Sequence, residues 1–524
     1  MPWGRGLLRS IYISFAIYAI GFGYRLILQL TRSEHAPNIL ALRRSGTELA
    51  SALLLGSFEA AWPLTTALSA CLNLLCFLCV VDFIYRAQTF HTSSDLSFER
   101  IGYVNASSAR VSIRSPNEAI IKLWYKPQST GVVEEQGEGR WQAGPVVSTT
   151  PEADYMASFV LENLRSDTQY VYYTNASHRG RFHTHPEYPK RWSMVSSSCI
   201  KAFWPYNPLD HPLSIRGLDF LSKVAESREL SFMLFLGDFI YIDLPKRFGW
   251  NTEDYQQAYR QVYASPSWSR ALTELPWLHL YDDHEITNNW SSNGTGIYQQ
   301  AIKAFMTYHH AANPPPFRDD HTYFTFRHGD VSFFVTDTRR YRSVAKMKDG
   351  PEKTMLGTQQ RHDLETWLTD ASGWKVVVSS VPFTRNWRSP DAEDSWGGYL
   401  WERERLLQKM WQTDGVLIIS GDRHEHATTY FPPPDSNDSK IIEFSTSPLN
   451  QFYEPFRRDY TQIEDTDIAL YHHYSGHSKF GIFTFDTKQE DVWTMEFELI
   501  VDGQKRWSHV VRQSRHPREA MAMV

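Results

Sequence analysis

The stretch Phe232-Met-Leu-Phe-Leu-Gly-Asp-Phe-Ile-Tyr241 decides how the rest of the chain is read. Its first five residues are an unbroken apolar run, the pattern of a strand buried on both faces. Gly237 then permits a tight turn, and Asp238 stands where that strand ends. Burying an unpaired carboxylate is costly. A divalent or trivalent cation offsets the cost, and Tyr241 offers another oxygen three residues on. Ligands collect at strand ends in open α/β sheets, so the pattern predicts further donors at the ends of other strands.

Five other apolar runs follow from Arg191 onward, and four of them end in donors. Trp192–Cys199 ends in a cysteine, and Trp277–Tyr281 runs into Asp282-Asp-His-Glu285 with Asn288 and Asn289 behind it. Val331–Thr336 runs into Asp337-Thr-Arg-Arg-Tyr-Arg342, and Gly415–Gly421 into Asp422-Arg-His424. Val376–Val381 is the exception, ending in Pro382. Each cluster alone has a plain reading: a core cysteine, an N-cap, a surface ion-pair knot. Together they put O, N and S donors at five strand ends, which in a layered α/β domain line one crevice. Amphipathic stretches at Glu253–Tyr263, Tyr298–His310, Thr358–Leu368 and Tyr399–Trp411 supply the helices of that domain.

Asp238 and Asp422 with Asn288 and His424 form a mixed O/N set suited to two metals that activate water for displacement at phosphorus. Arg339 and Arg342 are suited to phosphate oxygens in bidentate fashion. No P-loop and no Gly-x-Ser-x-Gly elbow is present.

The flanks differ in kind. At 524 residues the chain exceeds one ordinary domain, and a net charge of −6 gives no bulk pull toward nucleic acid. Residues 10–31 carry only Arg25 as a charge and residues 60–81 carry none, so one or two membrane helices are expected within residues 1–90. Cys71, Cys76 and Cys79 lie in the second segment and leave Cys199 alone in the rest. Arginines on both sides of the first segment leave the orientation open. The sequons at Asn105, Asn175, Asn293 and Asn437 suit a lumenal or extracellular face. Residues 95–186 alternate in short runs. Leu164, Thr168 and Tyr170 lead into a strand in the manner of a tyrosine corner, which predicts an immunoglobulin/fibronectin-like β-sandwich.

The ordered set Ser198-Cys199, Gly237–Tyr241, Asp282–Trp290, Asp337–Arg342, Ser420–His424 and Glu443–Pro448 resembles the PhoD-like (alkaline phosphatase D) metallophosphatases over residues 95–500. The resemblance implies a four-layer αββα sandwich over residues 187–515. It places Cys199, Asp238, Tyr241 and His424 around Fe3+, with Asp238 bridging to a Ca2+ that Asn288 and Asp422 also ligate; Zn2+, Mg2+ or Mn2+ are alternatives. It also implies substrate-phosphate contacts for Arg339 and Arg342, and proton-handling or supporting roles for Asp283 and His284. Hydrolysis of phosphate esters by a membrane-anchored enzyme is the resulting expectation. Its rivals are a phosphodiesterase acting on lipid headgroups or anchors, and an inactive membrane-bound binding protein. Asn450–Phe480, rich in His, Tyr and acidic residues, matches no motif and is expected to cover the cleft.

Overall fold

The computed structural model describes residues 63–128, 140–388, 391–434, 440–451, 459–462 and 466–514. The chain divides into two compact units, the first being Met1–Thr92 with Pro208–Pro212 and Leu244–Arg247. In that unit Pro63–Phe90 is a single helix, and its stretch Leu68–Phe90 is long and apolar enough to cross a membrane. The helix therefore runs nine residues past the apolar segment that ends at Val81. Arg86 Nη1 donates to the Pro208 carbonyl at 2.9 Å, and Lys246 Nζ lies 3.1 Å from the Tyr85 hydroxyl. The expected segment at 10–31 lies outside the described residues.

The second unit begins with seven strands in two sheets. Phe98–Val104, Ala109–Arg114 and Met156–Leu161 form one sheet; Ile120–Pro127, Gln142–Ser148, Gln169–Thr174 and Arg179–His183 form the other. Their alternating inward residues, among them Ile101, Val111, Phe159, Ile121, Leu123, Tyr172 and Phe182, share one core. The Tyr170 hydroxyl accepts the Arg165 N–H at 2.9 Å, tying the start of its strand back to the preceding loop.

The rest of this unit is layered, because the apolar runs are buried on both faces and must be covered twice. A six-stranded sheet carries Arg191–Ser197, Met233–Phe235 and Trp277–His279 as parallel neighbours. A seven-stranded sheet carries Val331–Val335, Trp374–Val378, Val416–Ser420 and Ile441–Thr446 in parallel. Met194, Leu234, Phe333, Val376, Leu417, Phe444 and Phe497 fill the space between the sheets. Helices Arg216–Ser227, Thr252–Tyr263 and Tyr298–Tyr308 cover the outer face of the first sheet. Gly357–Asp370 and Leu400–Trp411 cover that of the second. The expected helical stretches thus appear, each within two residues of its reading.

The decisive strand is short, Met233–Phe235, but its pairing continues: the Leu236 N–H donates to Ser197 O at 2.9 Å. Gly237 follows at φ +108°, where a Cβ would meet the Asp282 Cβ at 2.6 Å. Only glycine lets this turn lie against the next strand end.

Candidate metal centre

The parallel strands deliver their C-terminal ends to one place. Donor atoms of Cys199, Asp238 and His424 lie within 4.8 Å of one another. The same holds for Asp238, Asp283 and His284, and for Asp238, Asp282, Asp283 and Asp422. Asp238 belongs to all three sets and is 1% exposed. Its Oδ2 accepts from the Tyr241 hydroxyl at 2.9 Å and from Cys199 Sγ at 3.4 Å, and the Tyr241 oxygen lies 3.0 Å from His424 Nε2.

These side chains are brought together by backbone that other residues avoid. Cys199, Asp238, Asp422 and His424 all sit at positive φ, between 57° and 76°. Left-handed geometry at non-glycine residues persists only where the surroundings enforce it, and it clusters at functional sites. The enforcement is visible. Asn450, fully buried, donates to Lys201 O and Trp204 O and accepts from Gly217 N, while its own N–H donates to Cys199 O at 3.1 Å. Gly421 lies where a Cβ would meet Ser198 Oγ at 2.4 Å, so the turn carrying Asp422 rests against the turn carrying Cys199. Glu285 takes the backbone N–H groups of Asp238 (2.9 Å), Phe239 (2.5 Å), Ile240 (3.4 Å) and Asp282 (2.7 Å).

Electrostatically the cluster is incomplete. Burial pushes the Asp238 carboxyl well above its usual range and Asp422 up to about 7. Burial, reinforced by Asp238 and Asp422, pushes the Cys199 thiol well up, and burial with Asp238 does the same to the Tyr241 phenol. Burial holds His424 far below the ordinary imidazole range. Among the described residues, Oδ2 of Asp282, Oδ1 of Asp283 and Oδ2 of Asp422 are buried without a hydrogen bond, the last two with a guanidinium at 3.7 and 3.5 Å. Carboxylate oxygens left without a hydrogen bond beside such donor sets are what a bound cation satisfies. A thiol, phenol, imidazole and carboxylate suit a strongly charged transition ion, and the carboxylates around Asp422 suit a harder one. The residues present fit two metal ions.

The structure places the other expected site residues as follows. His284 stacks on Tyr241 with ring centroids 4.1 Å apart and pairs with Asp243 at 2.7 Å. Although burial opposes it, Asp243, Asp283 and Asp238 raise His284 to about 10. Asn288 is held through its backbone N–H, 2.6 Å from Asp243 Oδ2. Arg339 and Arg342 are not presented to an open surface; their side chains are 0% exposed. Arg339 grips Asp394 with two parallel bonds of 2.8 and 2.9 Å and donates its Nε–H to Asp282. Arg342 binds the Asp394 carboxylate and donates to its carbonyl at 3.1 Å. The strand that ended in proline also contributes: Ser380 donates to Asp282 Oδ1 at 2.7 Å.

Sequence reasoning missed Asp243, Asp394, Ser380 and Asn450, and assigned no role to Arg423. Asp243 alone carried a signal, since it continues the same turn two residues after Tyr241. Arg423 is 11% exposed, donates from Nη2 to Asp391 O at 2.6 Å, and pairs through Nε with Asp422 Oδ2 at 3.5 Å, that nitrogen making no hydrogen bond among the described residues. Asn450 and Gln451 follow the strand Ile441–Thr446 after three residues, and Glu425 meets His472 at 2.5 Å. The segment that matched no motif therefore supplies residues around the site; residues 452–458 and 463–465 lie outside the described ones.

Residues 195–497, more than half of the chain, match the PhoD-like phosphatase family. Alkaline phosphatase D of Bacillus subtilis (strain 168) is 28% identical over 253 residues, covering 38% of this chain and 42% of that protein. The match spans under half the length of that relative. The solved structure of PhoD superposes with a TM-score of 0.59 at 16% identity, over 80% of this chain and 88% of that one. A purple acid phosphatase from yellow lupin (Lupinus luteus) seeds superposes with a TM-score of 0.57 at 14% identity, over 81% and 75%.

Proposed function

The chain belongs to the PhoD-like phosphatase family, and from that premise we propose that it is a metal-dependent phosphoesterase. The observation that carries the reading is the membership of Asp238 in three overlapping donor sets beside three buried carboxylate oxygens without a hydrogen bond among the described residues. We assign Cys199, Asp238, Tyr241 and His424 to a ferric-type ion, and Asp238, Asn288 and Asp422 to a calcium-type ion. Bound there, two cations would supply the activation of water and the positive charge that an in-line displacement on phosphorus needs.

The chain's own groups do the rest. Glu285 fixes the course of the Asp238 turn. His284, stacked on Tyr241, offers a cation beside that ring, which favours the phenolate as a donor. Arg339 and Arg342 act through Asp282 and Asp394 as positioning residues, because their N–H groups are largely committed. Arg423, paired through Nε with Asp422 at 3.5 Å and 11% exposed, is the guanidinium we assign to a phosphate oxygen. A lipid phosphodiester is the narrower substrate reading, favoured by the apolar helix Leu68–Phe90; with it go a membrane location and an immunoglobulin-like assignment for the seven-stranded sandwich.

The test is elemental analysis of the full chain purified in detergent, with turnover of aryl phosphate mono- and diesters before and after chelation. Two metals per chain, and activity lost with them and restored on their return, is the expected result. A metal-free, fully active protein would refute the proposal. Metal binding with no turnover on any ester would favour a binding protein instead.

A further inference from the structure

The turns 237–243 and 282–288 leave adjacent parallel strands, and one side chain joins them at the metal centre. Asp243 is 4% exposed and uses both oxygens. Oδ1 lies 2.7 Å from His284 Nδ1. Oδ2 accepts the Asn288 N–H at 2.6 Å and the Thr287 hydroxyl at 3.3 Å. Through the first contact Asp243 sets the tilt of the His284 ring, which lies 29° from the plane of Tyr241. Through the second it sets the backbone position from which the Asn288 amide departs.

Glu285 already ties the same two turns together through four backbone N–H groups, and Asp238 Oδ1 accepts the His284 N–H at 3.3 Å. The course of the main chain therefore has its own restraint. What depends on Asp243 is narrower: the orientation of one ring and the placement of one amide. Groups one step behind the ligands set ligand geometry, and their loss typically costs ten- to a hundredfold in metal affinity or activity.

We propose that Asp243 is a positioning residue that holds Asn288 on the calcium-type side of the centre and the His284 ring against Tyr241. The inference rests on the two-metal reading above. Asp243→Asn replaces one acceptor oxygen by an NH2 group, which must face either the Asn288 N–H or the His284 Nδ1–H. One of the two contacts is lost, while Cys199, Asp238 and His424 keep theirs.

The experiment compares full-length wild type, Asp243→Asn and Asp243→Glu in detergent. Metals per chain are counted after desalting, kcat and KM are measured on an aryl phosphate ester, and unfolding is followed in chelator. Asp243→Asn is expected to keep about one of two metals and to lose about ten- to a hundredfold in kcat, with KM within about threefold. Its chelated form should unfold as cooperatively as wild type, and Asp243→Glu, which keeps both oxygens, should recover part of the loss. Two metals with unchanged kinetics in Asp243→Asn overturn the inference while leaving the phosphoesterase reading intact. Loss of cooperative unfolding in both variants also overturns it, since Asp243 would then be an element of the fold. A wild type that binds no metal removes the phosphoesterase reading and this inference together.

Discussion

Two buried clusters of charge lie at neighbouring strand ends and are finished differently. Around Asp394 two guanidiniums meet one carboxylate, whose oxygens both accept, and Arg339 spends its Nε–H on Asp282. Around Asp238 the acids outnumber the cations, and three carboxylate oxygens have no hydrogen bond among the described residues. The arginine cluster is balanced in charge by its own acids, although Arg342 Nε is buried without a hydrogen bond among the described residues, whereas the carboxylate cluster carries an excess of acids that a cation would balance. Burial is nearly complete in both, so it does not distinguish them. The charge balance does: arginines next to acids are structure, and acids next to acids are a site.

The largest expected effect opens the second cluster further. Asp238→Asn removes the one carboxylate common to all three donor sets, and turnover should fall by at least about a thousandfold, ~4 kcal/mol of barrier. The chelated variant should unfold no more readily than wild type, because one of the mutually repelling acids is gone. More than about a tenth of the activity remaining, ~1.4 kcal/mol or less, would rule out bridging by Asp238.

Breaking the closed cluster should do the reverse. Asp394→Asn leaves two buried guanidiniums facing a neutral amide, a loss of about 3–5 kcal/mol in unfolding free energy. Urea unfolding of the chelated protein measures it. A change under about 1 kcal/mol would mean that Asp282 and solvent support the arginines without Asp394.

Much of this was legible in the sequence, for a physical reason. Which residues stand at a strand end is a local property, written in the apolar run before and the glycine or acid after, and Asp238, Asp282, Asp337 and Asp422 were found that way. The helices carried their period in the same local manner. What the donors face is not local. Arg339 and Asp394 are 55 residues apart, with no spacing rule between them, so two arginines at a strand end read as free for phosphate when they are shut inside an ion-pair knot. Ser380 was passed over because Pro382 ended its strand without a charge, yet its hydroxyl reaches Asp282. Asn450 lay in a segment without a motif, and only the tertiary fold shows that it ties Cys199, Lys201 and Trp204 to the start of the helix at Gly217.

The smallest effect concerns a third buried polar group, which is neither paired with an ion nor part of the donor sets. His279 ends the strand that leads to Asp282, and its ring stacks on His309 with centroids 3.6 Å apart. Both His279 nitrogens and His309 Nδ1 lack a hydrogen bond among the described residues, while His309 Nε2 lies 2.9 Å from the Tyr263 hydroxyl. Burial drives both imidazoles well below 6.5, with His309 and Arg100 adding to the effect on His279. A base whose folded pKa is depressed is neutral in the native state and takes up its proton on unfolding. Its contribution is therefore intact above the unfolded value near 6.5 and is lost as the pH falls below it. Each such histidine makes the unfolding free energy fall by up to ~1.4 kcal/mol per pH unit in that window. His279→Phe keeps a ring of similar size but cannot take up the proton. In chelator, where metal release at low pH does not intrude, its stability should decline between pH 6.5 and 5.5 by ~1 kcal/mol less than wild type. Equal slopes for the two proteins would show that His279 is already hydrated and titrating in the native state. The strand end beneath Asp282 would then be open to water, and the contrast between a closed and an open cluster would extend one layer deeper than drawn.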